Sequence, residues 1–169
     1  PTQPLPYPWE TCMTMANSWS YVPNDTYKST ATLLKNLCLV VSRGGNFLLN
    51  IAPDPQGRFD STAYQRLAEI GAWMHTNGQA IYASKPIAPY EIQRGEAGLW
   101  VFTQVEKSVY AIWIPQNPAP SMQTLEFNLF QKSKVKALNK ENRITSKGQT
   151  VHVYLNENPG LLPQVFKLN

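Results

Sequence analysis

The stretch Phe47-Leu48-Leu49-Asn50-Ile51 is apolar at every position but one, so neither face of the strand it forms belongs in water. A strand of this kind sits in a parallel sheet covered on both sides, and the residues around it supply the cover for one of them. Upstream, Leu33, Leu34, Leu37, Cys38 and Val41 recur at helical spacing behind Ser29, a residue type that caps helix N-termini. Gly44-Gly45 closes that helix, because glycine tolerates the left-handed conformation that ends one. Downstream, Pro53-Asp54-Pro55-Gln56-Gly57 stops the strand. A second helix then runs from Asp60 or Ser61, carries Leu67, Ile70 and Met74 on one face, and ends at Asn77-Gly78. Ahead of all this, Glu10 to Met15 reads as a short strand whose side chains alternate between two environments. The order strand, helix, strand, helix is that of two consecutive βα units, as at the end of a parallel barrel.

From about Pro86 the apolar period changes to two. Leu99 to Val105, a Glu106-Lys107-Ser108 link and Val109 to Ile114 read as a hairpin near the centre of a sheet. Further strands are expected at Thr124 to Leu129, Lys134 to Leu138, Gln149 to Leu155 and Gln164 to Leu168, with a turn at Lys147-Gly148. Short strands at this spacing argue an antiparallel β-sandwich. The expected fold class is therefore α/β plus all-β: the last two βα units of a (β/α)8-like barrel over residues 1–85, then a β-sandwich over residues 86–169, with a boundary near Ser84 to Pro89. Trp73, Trp100 and Trp113 fall on core positions. Two βα units do not close a barrel, which takes eight. Each large apolar side chain left in water forfeits about 1.5–3 kcal/mol, against a domain stability of about 5–15 kcal/mol. Residues 1–85 are thus expected to be incomplete alone, with the earlier strands on an N-terminal remainder of the barrel. That remainder is either the same polypeptide or one separated by cleavage in the proline-rich loop that ends in Pro1-Thr2-Gln3-Pro4-Leu5-Pro6.

Composition narrows the partners. With 43% apolar and 15% charged residues, the 169-residue chain is globular in make-up. Lys and Arg exceed Asp and Glu by 15 to 11, too small and too scattered an excess to argue nucleic acid. The densest basic run, Lys132, Lys134, Lys136 and Lys140, alternates with Ser133 and Val135 as the wet face of an exposed strand. No apolar run reaches the roughly 18 residues of a membrane span, and no signal pattern is visible, so no membrane partner is expected. Cys12 and Cys38 lack metal-ligand spacing and lie among apolar neighbours, which reads as two buried free thiols and not a disulfide. His75 falls late in the second helix, where the dipole favours a cation, and His152 alternates with Val151 and Val153 on a solvent-facing strand position. Neither has partners for a metal or an activated nucleophile; no metal and no cofactor is expected.

Several motifs recur in a fixed order: Trp9-Glu10-Thr11-Cys12-Met13-Thr14, Ser18-Trp19-Ser20-Tyr21, the run from Val41 to Pro53, Ile70-Gly71-Ala72-Trp73, and Asn77-Gly78-Gln79-Ala80-Ile81-Tyr82. With them the chain closely resembles, over nearly its whole length, the retaining α-L-fucosidases of glycoside hydrolase family twenty-nine. It departs at Ser20, where that family more often has Gly, and at Gln79, where it usually has Glu. The resemblance implies a catalytic (β/α)8-like barrel followed by a β-sandwich. It implies exo-hydrolysis of terminal α-L-fucose from glycans or glycoconjugates, with retention of configuration, in a secreted, periplasmic or lysosomal setting. The implied partners are a fucosylated glycan and the rest of the barrel, and a homo-oligomer is compatible with both.

Retention takes two carboxylates about 5–5.5 Å apart, one attacking the anomeric carbon and one moving a proton to and from the leaving oxygen. The resemblance implies a nucleophilic Asp on an earlier barrel strand, and no stretch here matches its surroundings, so this chain alone is expected to be inactive. Glu10, beside Trp9, is expected at the mouth of a barrel strand. There it either donates the proton, or organises the site while the donor lies in the loop just before the motif. Trp19 is the foremost sugar contact, because an aromatic face suits the C–H surface and methyl group of a deoxy sugar, and the resemblance puts an aromatic of the fucose pocket at this position. The competing reading wedges Trp19 into the barrel rim. Asn50 either aims a polar group at the active-site end of its strand or ties down a βα loop, and Asn46 at the other end reads as structural. A second class stays open: a non-catalytic carbohydrate-binding or scaffold module built on the sandwich. It needs an exposed aromatic platform, whereas Trp100, Phe102, Tyr110 and Trp113 look buried.

Overall fold

The computed structural model describes residues 1, 3–87, 93–95, 98–116, 124–128, 135–139, 142–147, 150–154 and 160–168. β1 (Trp9–Thr14) leads through α1 (Thr30–Ser42) to β2 (Gly45–Asn50), and α2 (Ser61–Asn77) follows, ending in a 3-10 turn at Gly78–Ala80. Both helix starts are capped as expected. The Ser29 hydroxyl accepts from Thr32 N–H at 3.2 Å, and the Asp60 carboxylate accepts from Thr62 N–H at 2.8 Å. Gly44, at φ +78°, makes the left-handed turn out of α1. Gly45 is needed for space instead. It is already the first residue of β2, and a Cβ there would lie 2.5 Å from the Trp9 ring packed across it.

β1 and β2 pair in parallel, Trp9 opposite Gly45 and Thr14 opposite Asn50. One face of the pair packs on the helices through a cluster of Met15, Leu33 and Ala63 flanked by Leu49, Ile51 and Ile70. Alternation puts Glu10, Cys12 and Thr14 on the other face, beside Asn46, Leu48 and Asn50. Leu48 is 49% exposed there. Cys12 is exposed as well, not a buried thiol: Met13, its apolar neighbour, points to the opposite side. Cys38 is buried, and desolvation pushes its thiol far above the ordinary range. Both cysteines are free. On α2 the buried stripe is Ala63, Trp73 and Asn77, with Ile70 and Met74 half-buried. Leu67, expected on that face, is exposed; at about 100° per residue it falls on the margin of the stripe.

β3 (Lys85–Pro86) and β4 (Gln93–Gly95) precede a hairpin of β5 (Gly98–Val105) and β6 (Ser108–Pro115). β7 (Thr124–Asn128), β8 (Val135–Ala137), β9 (Arg143–Lys147), β10 (Thr150–Tyr154) and β11 (Gln164–Leu168) complete the chain. The hairpin turn is Glu106-Lys107, one residue shorter than expected: Val105 pairs with Ser108, and Glu106 takes φ 52°. The large sheet has the order β3-β5-β6-β11-β8 with β4 also on β5, and the small one has the order β7-β10-β9. Leu129, Lys134, Gln149 and Leu155 at the expected strand ends lie outside the described residues, as do Lys132 and Lys140 of the basic run and Gly148 of the turn. Lys136 is exposed, as its place in that run requires.

The large sheet is covered on both faces. On one, Trp100, Phe102, Trp113 and Phe166 pack with Val153 of the small sheet, the Trp100 and Trp113 ring centroids 5.1 Å apart. On the other, Leu99, Val101, Tyr110 and Ile112 meet Leu34, Cys38 and Trp73 of the helices. Trp73 Nε1 donates to Pro163 O at 2.8 Å across that seam, and Thr103 Oγ1 donates to Ala80 O at 2.8 Å. The fold is thus a mixed α/β part joined to a β-sandwich. Gly98 tests the packing of the hairpin, since a Cβ there would come within 2.5 Å of both Ile114 O and the Trp113 ring. Gly98→Ala should destabilise the intact protein by about 1–3 kcal/mol, read as a lowered urea midpoint at unchanged slope; an unchanged midpoint contradicts this packing.

Candidate active-site rim

Parallel strands collect ligand sites at their carboxyl ends. β1 and β2 end together, Thr14 opposite Asn50, so the loop that leaves Thr14 and the start of the one that leaves Asn50 form the rim. The first of these, residues 15–29, is closed at its neck by backbone hydrogen bonds. Met15 N–H donates to Asn50 O at 2.9 Å, Lys28 N–H to Met15 O at 2.9 Å, and Asn17 N–H to Thr26 O at 3.1 Å. Inside the loop the Asp25 carboxylate accepts from Ser18 N–H at 2.9 Å and from Thr26 N–H at 2.7 Å, while Asn24 takes φ 59° to turn the chain back. From β2, Asn50 Nδ2 donates to Trp19 O at 2.9 Å. The loop therefore presents Trp19 at 60% exposure, with Tyr21 and Val22 also exposed beside it. A small cleft behind is lined by Ser18, Ser20, Tyr21, Asp25, Tyr27 and Asn50.

Of the three residues singled out in the sequence, Trp19 and Asn50 come together and Glu10 does not. Within this chain Trp19 is exposed and its carbonyl is held. Asn50 ties down the loop, the second of its two readings. Glu10 is exposed, the second residue of β1, opposite Asn46. It is four residues before Thr14, about 13 Å along an extended strand. The mouth position expected for it is therefore corrected: Glu10 lies at the amino end of its strand, the rim at the other. His75 is exposed in the last turn of α2, whereas His152, on the central strand of the small sheet, is half-buried and not simply solvent-facing. Among the described residues no group of three or more His, Cys, Asp or Glu side chains gathers as a metal site.

Two residues that organise the rim carry little signal in the sequence. Asp25 follows Asn24 in a loop-forming run, where an Asx-type turn is the clue; Lys28 offers none. Ser18 N–H, and then Thr26 N–H, hold the Asp25 carboxyl below the usual carboxylate range. Burial, with Asp60 and Asp25 nearby, pushes the Tyr27 phenol up.

The family model of the α-L-fucosidases matches residues 1–79, the span that contains both strands, both helices and the rim. Residues 1–79 are thus an α-L-fucosidase family segment. The α-L-fucosidase of Branchiostoma floridae is 42% identical to it over 108 residues, which are 62% of this chain and 24% of that protein. Among solved structures, α-L-fucosidase isoenzyme 1 from Paenibacillus thiaminolyticus superposes with a TM-score of 0.78 at 26% identity, covering 100% of this chain and 42% of that one. The Thermotoga maritima α-fucosidase in complex with fucose superposes with a TM-score of 0.81 at 22% identity, covering 99% and 40%, a likeness of fold. The chain thus spans about a quarter of the curated α-L-fucosidase and about two fifths of the solved ones. The hairpin beyond the matched segment offers no sugar platform on these rings: Trp100, Phe102, Tyr110 and Trp113 are all buried.

Asp25 gives the fucosidase rim a pH dependence. Its folded value is depressed, so its contribution to loop order is complete above the ordinary aspartate pKa of about 3.9 and is lost as pH falls through the folded value. Amide protection at Ser18 and Thr26 should hold from pH 7 down to about 4 and collapse only below that, as the pH falls through the depressed folded value. Asp25→Ala should show the collapsed level at every pH; protection that does not respond to that substitution removes Asp25 from this role.

Proposed function

We propose that the protein containing this chain is an exo-acting retaining α-L-fucosidase that removes terminal α-L-fucose from glycans or glycoconjugates. The observation that carries the reading is the exposed Trp19 face, held over the carboxyl edge of the parallel strands by Asn50 within the segment that matches the family model. In this reading residues 1–85 are the last two βα units of a (β/α)8-like barrel and residues 86–169 are its C-terminal β-sandwich. The open face with Glu10, Cys12 and Leu48 then looks into the barrel, toward strands of the N-terminal remainder. A secreted, periplasmic or lysosomal setting belongs to the same proposal.

The reaction proceeds through two displacements. An Asp of the remainder attacks the anomeric carbon, and the bond to the leaving oxygen breaks as a carboxylic acid gives that oxygen a proton. The same acid, now a carboxylate, takes a proton from water, which hydrolyses the fucosyl ester and restores both groups with retention. Trp19 stacks on the C–H face and methyl group of fucose, and Asn50 sets the height of that ring by holding its backbone. Glu10, some four residues from the rim along β1, suits an organising role at the start of the strand, with the proton donor upstream.

Three outcomes follow from these assignments. The isolated 169-residue chain should give no turnover of an aryl α-L-fucoside that the intact parent protein hydrolyses; turnover by the chain alone would put the nucleophile within it. In the parent, Trp19→Ala should weaken fucose recognition by about 1–3 kcal/mol in kcat/KM and in inhibitor affinity, and unchanged values would return Trp19 to a structural role. Glu10→Gln should slow substrates with good and poor leaving groups alike. A loss confined to poor leaving groups, of the roughly 10²–10⁴-fold that general acid help supplies, would make Glu10 the proton donor after all.

A further inference from the structure

Lys28 sits at the return end of the rim loop with its ammonium turned back on the exit of β1. Nζ donates to Thr14 Oγ1 at 3.0 Å and to Ala16 O at 2.6 Å. The Thr14 hydroxyl in turn donates to the same Ala16 O, so that one ammonium, one hydroxyl and one carbonyl close a small ring of hydrogen bonds. The Lys28 backbone is fixed on both sides: its N–H donates to Met15 O at 2.9 Å, and its carbonyl accepts from Arg66 Nε of α2 at 3.2 Å. Among the described residues no carboxylate pairs with this half-buried cation. The ammonium is held instead by neutral oxygens, one hydroxyl and one carbonyl.

What it does achieve is geometric. Three tethers act on three nearly consecutive positions of the outgoing arm: Lys28 on Ala16, Asp25 on Ser18 and Asn50 on Trp19. Asp25 lies within the loop and Asn50 reaches from the neighbouring strand; Lys28 alone joins the returning arm to the last turn of β1 by a side chain. Its four-carbon stem supplies the reach, and its three donors supply two bonds at once.

We propose that Lys28 is a positioning residue for fucose recognition: its ammonium locks the neck of the rim loop and so fixes the Trp19 ring in the orientation that the sugar meets. This rests on the reading of Trp19 as the fucose contact. Contacts of that ring are made in the ground state and the transition state alike, so loosening it raises KM and leaves kcat largely intact. A role confined to stability would instead reduce the fraction of active enzyme at unchanged KM.

The test is a double-mutant cycle in the intact parent enzyme with an aryl α-L-fucoside, reading KM, kcat and active-site titre. Lys28→Met, which keeps the stem and removes the donors, should raise KM roughly three- to tenfold with kcat within about twofold of wild type. Lys28→Arg should restore most of the loss. In the Trp19→Ala background Lys28→Met should add nothing further to KM, because the ring it positions is gone. If Lys28→Met does not fold, Thr14→Val opens the same ring of hydrogen bonds without touching the charge and should raise KM in the same direction, again only when Trp19 is present. Trp19→Ala without effect overturns the Trp19 reading itself. An effect of Trp19→Ala accompanied by a wild-type KM for Lys28→Met, or by an undiminished Lys28→Met effect in the Trp19→Ala background, overturns the role of Lys28 while that reading stands.

Discussion

Everything at the rim depends on α1 being buried on two sides at once. Leu33 enters the cluster against the β1–β2 pair and Leu34, the next residue, enters the cluster against the large sheet. Consecutive residues on a helix diverge by about 100°, so this is possible only where a helix is a middle layer between two sheets. Truncating either leucine to alanine removes about 2–5 kcal/mol from one side of that layer. Trp73 on α2 enters the same cluster as Leu34 and anchors its helix to the chain's far end through Pro163 O. The sandwich therefore acts on the β1–β2 pair through the helices: it stiffens the platform from which the rim loop is hung.

Those elements that depend on local chemistry are readable from the sequence. Ser29 and Asp60 cap their helices, the Leu99 to Ile114 hairpin lies at the centre of the large sheet, and Gln164 to Leu168 is a strand at those bounds. Elements that depend on a partner are not. Lys85–Pro86 and Gln93–Gly95 are strands only because β5 offers its edge, and Arg143–Lys147, with one apolar residue in five, is a strand because β10 lies beside it. Cys12 misleads for a related reason. An apolar neighbourhood in sequence says nothing about which face a strand residue takes, and one step of alternation moves it from core to open face.

The site divides along the same line. Trp19 and Asn50 are legible as residue types, but that they act as a pair, a ring and the group that holds its backbone, is a tertiary fact. Glu10 is misplaced by the strand boundary: the motif around it reads as a unit, yet β1 starts at Trp9 and carries the carboxylate at its amino end. The two departures from the resembled family also become intelligible. Ser20 is not among the residues at positive φ, so no glycine is required there. Gln79 accepts from the Tyr110 hydroxyl at 3.3 Å through an amide oxygen, a contact that needs no charge.

The tethers on residues 16, 18 and 19 all grip backbone atoms: two carbonyls and one amide N–H. Side chains just beyond them are then free to change without releasing the loop, while the positions that do the gripping, Lys28, Asp25 and Asn50, lie outside the presented segment. Orientation of Trp19 is in this way decoupled from the identity of its neighbours. On the proposed fucosidase reading, such a face can vary at Ser20, Tyr21 or Val22 to suit what would flank the sugar while the ring stays fixed, because the entropy of ordering the loop is met by groups outside that face.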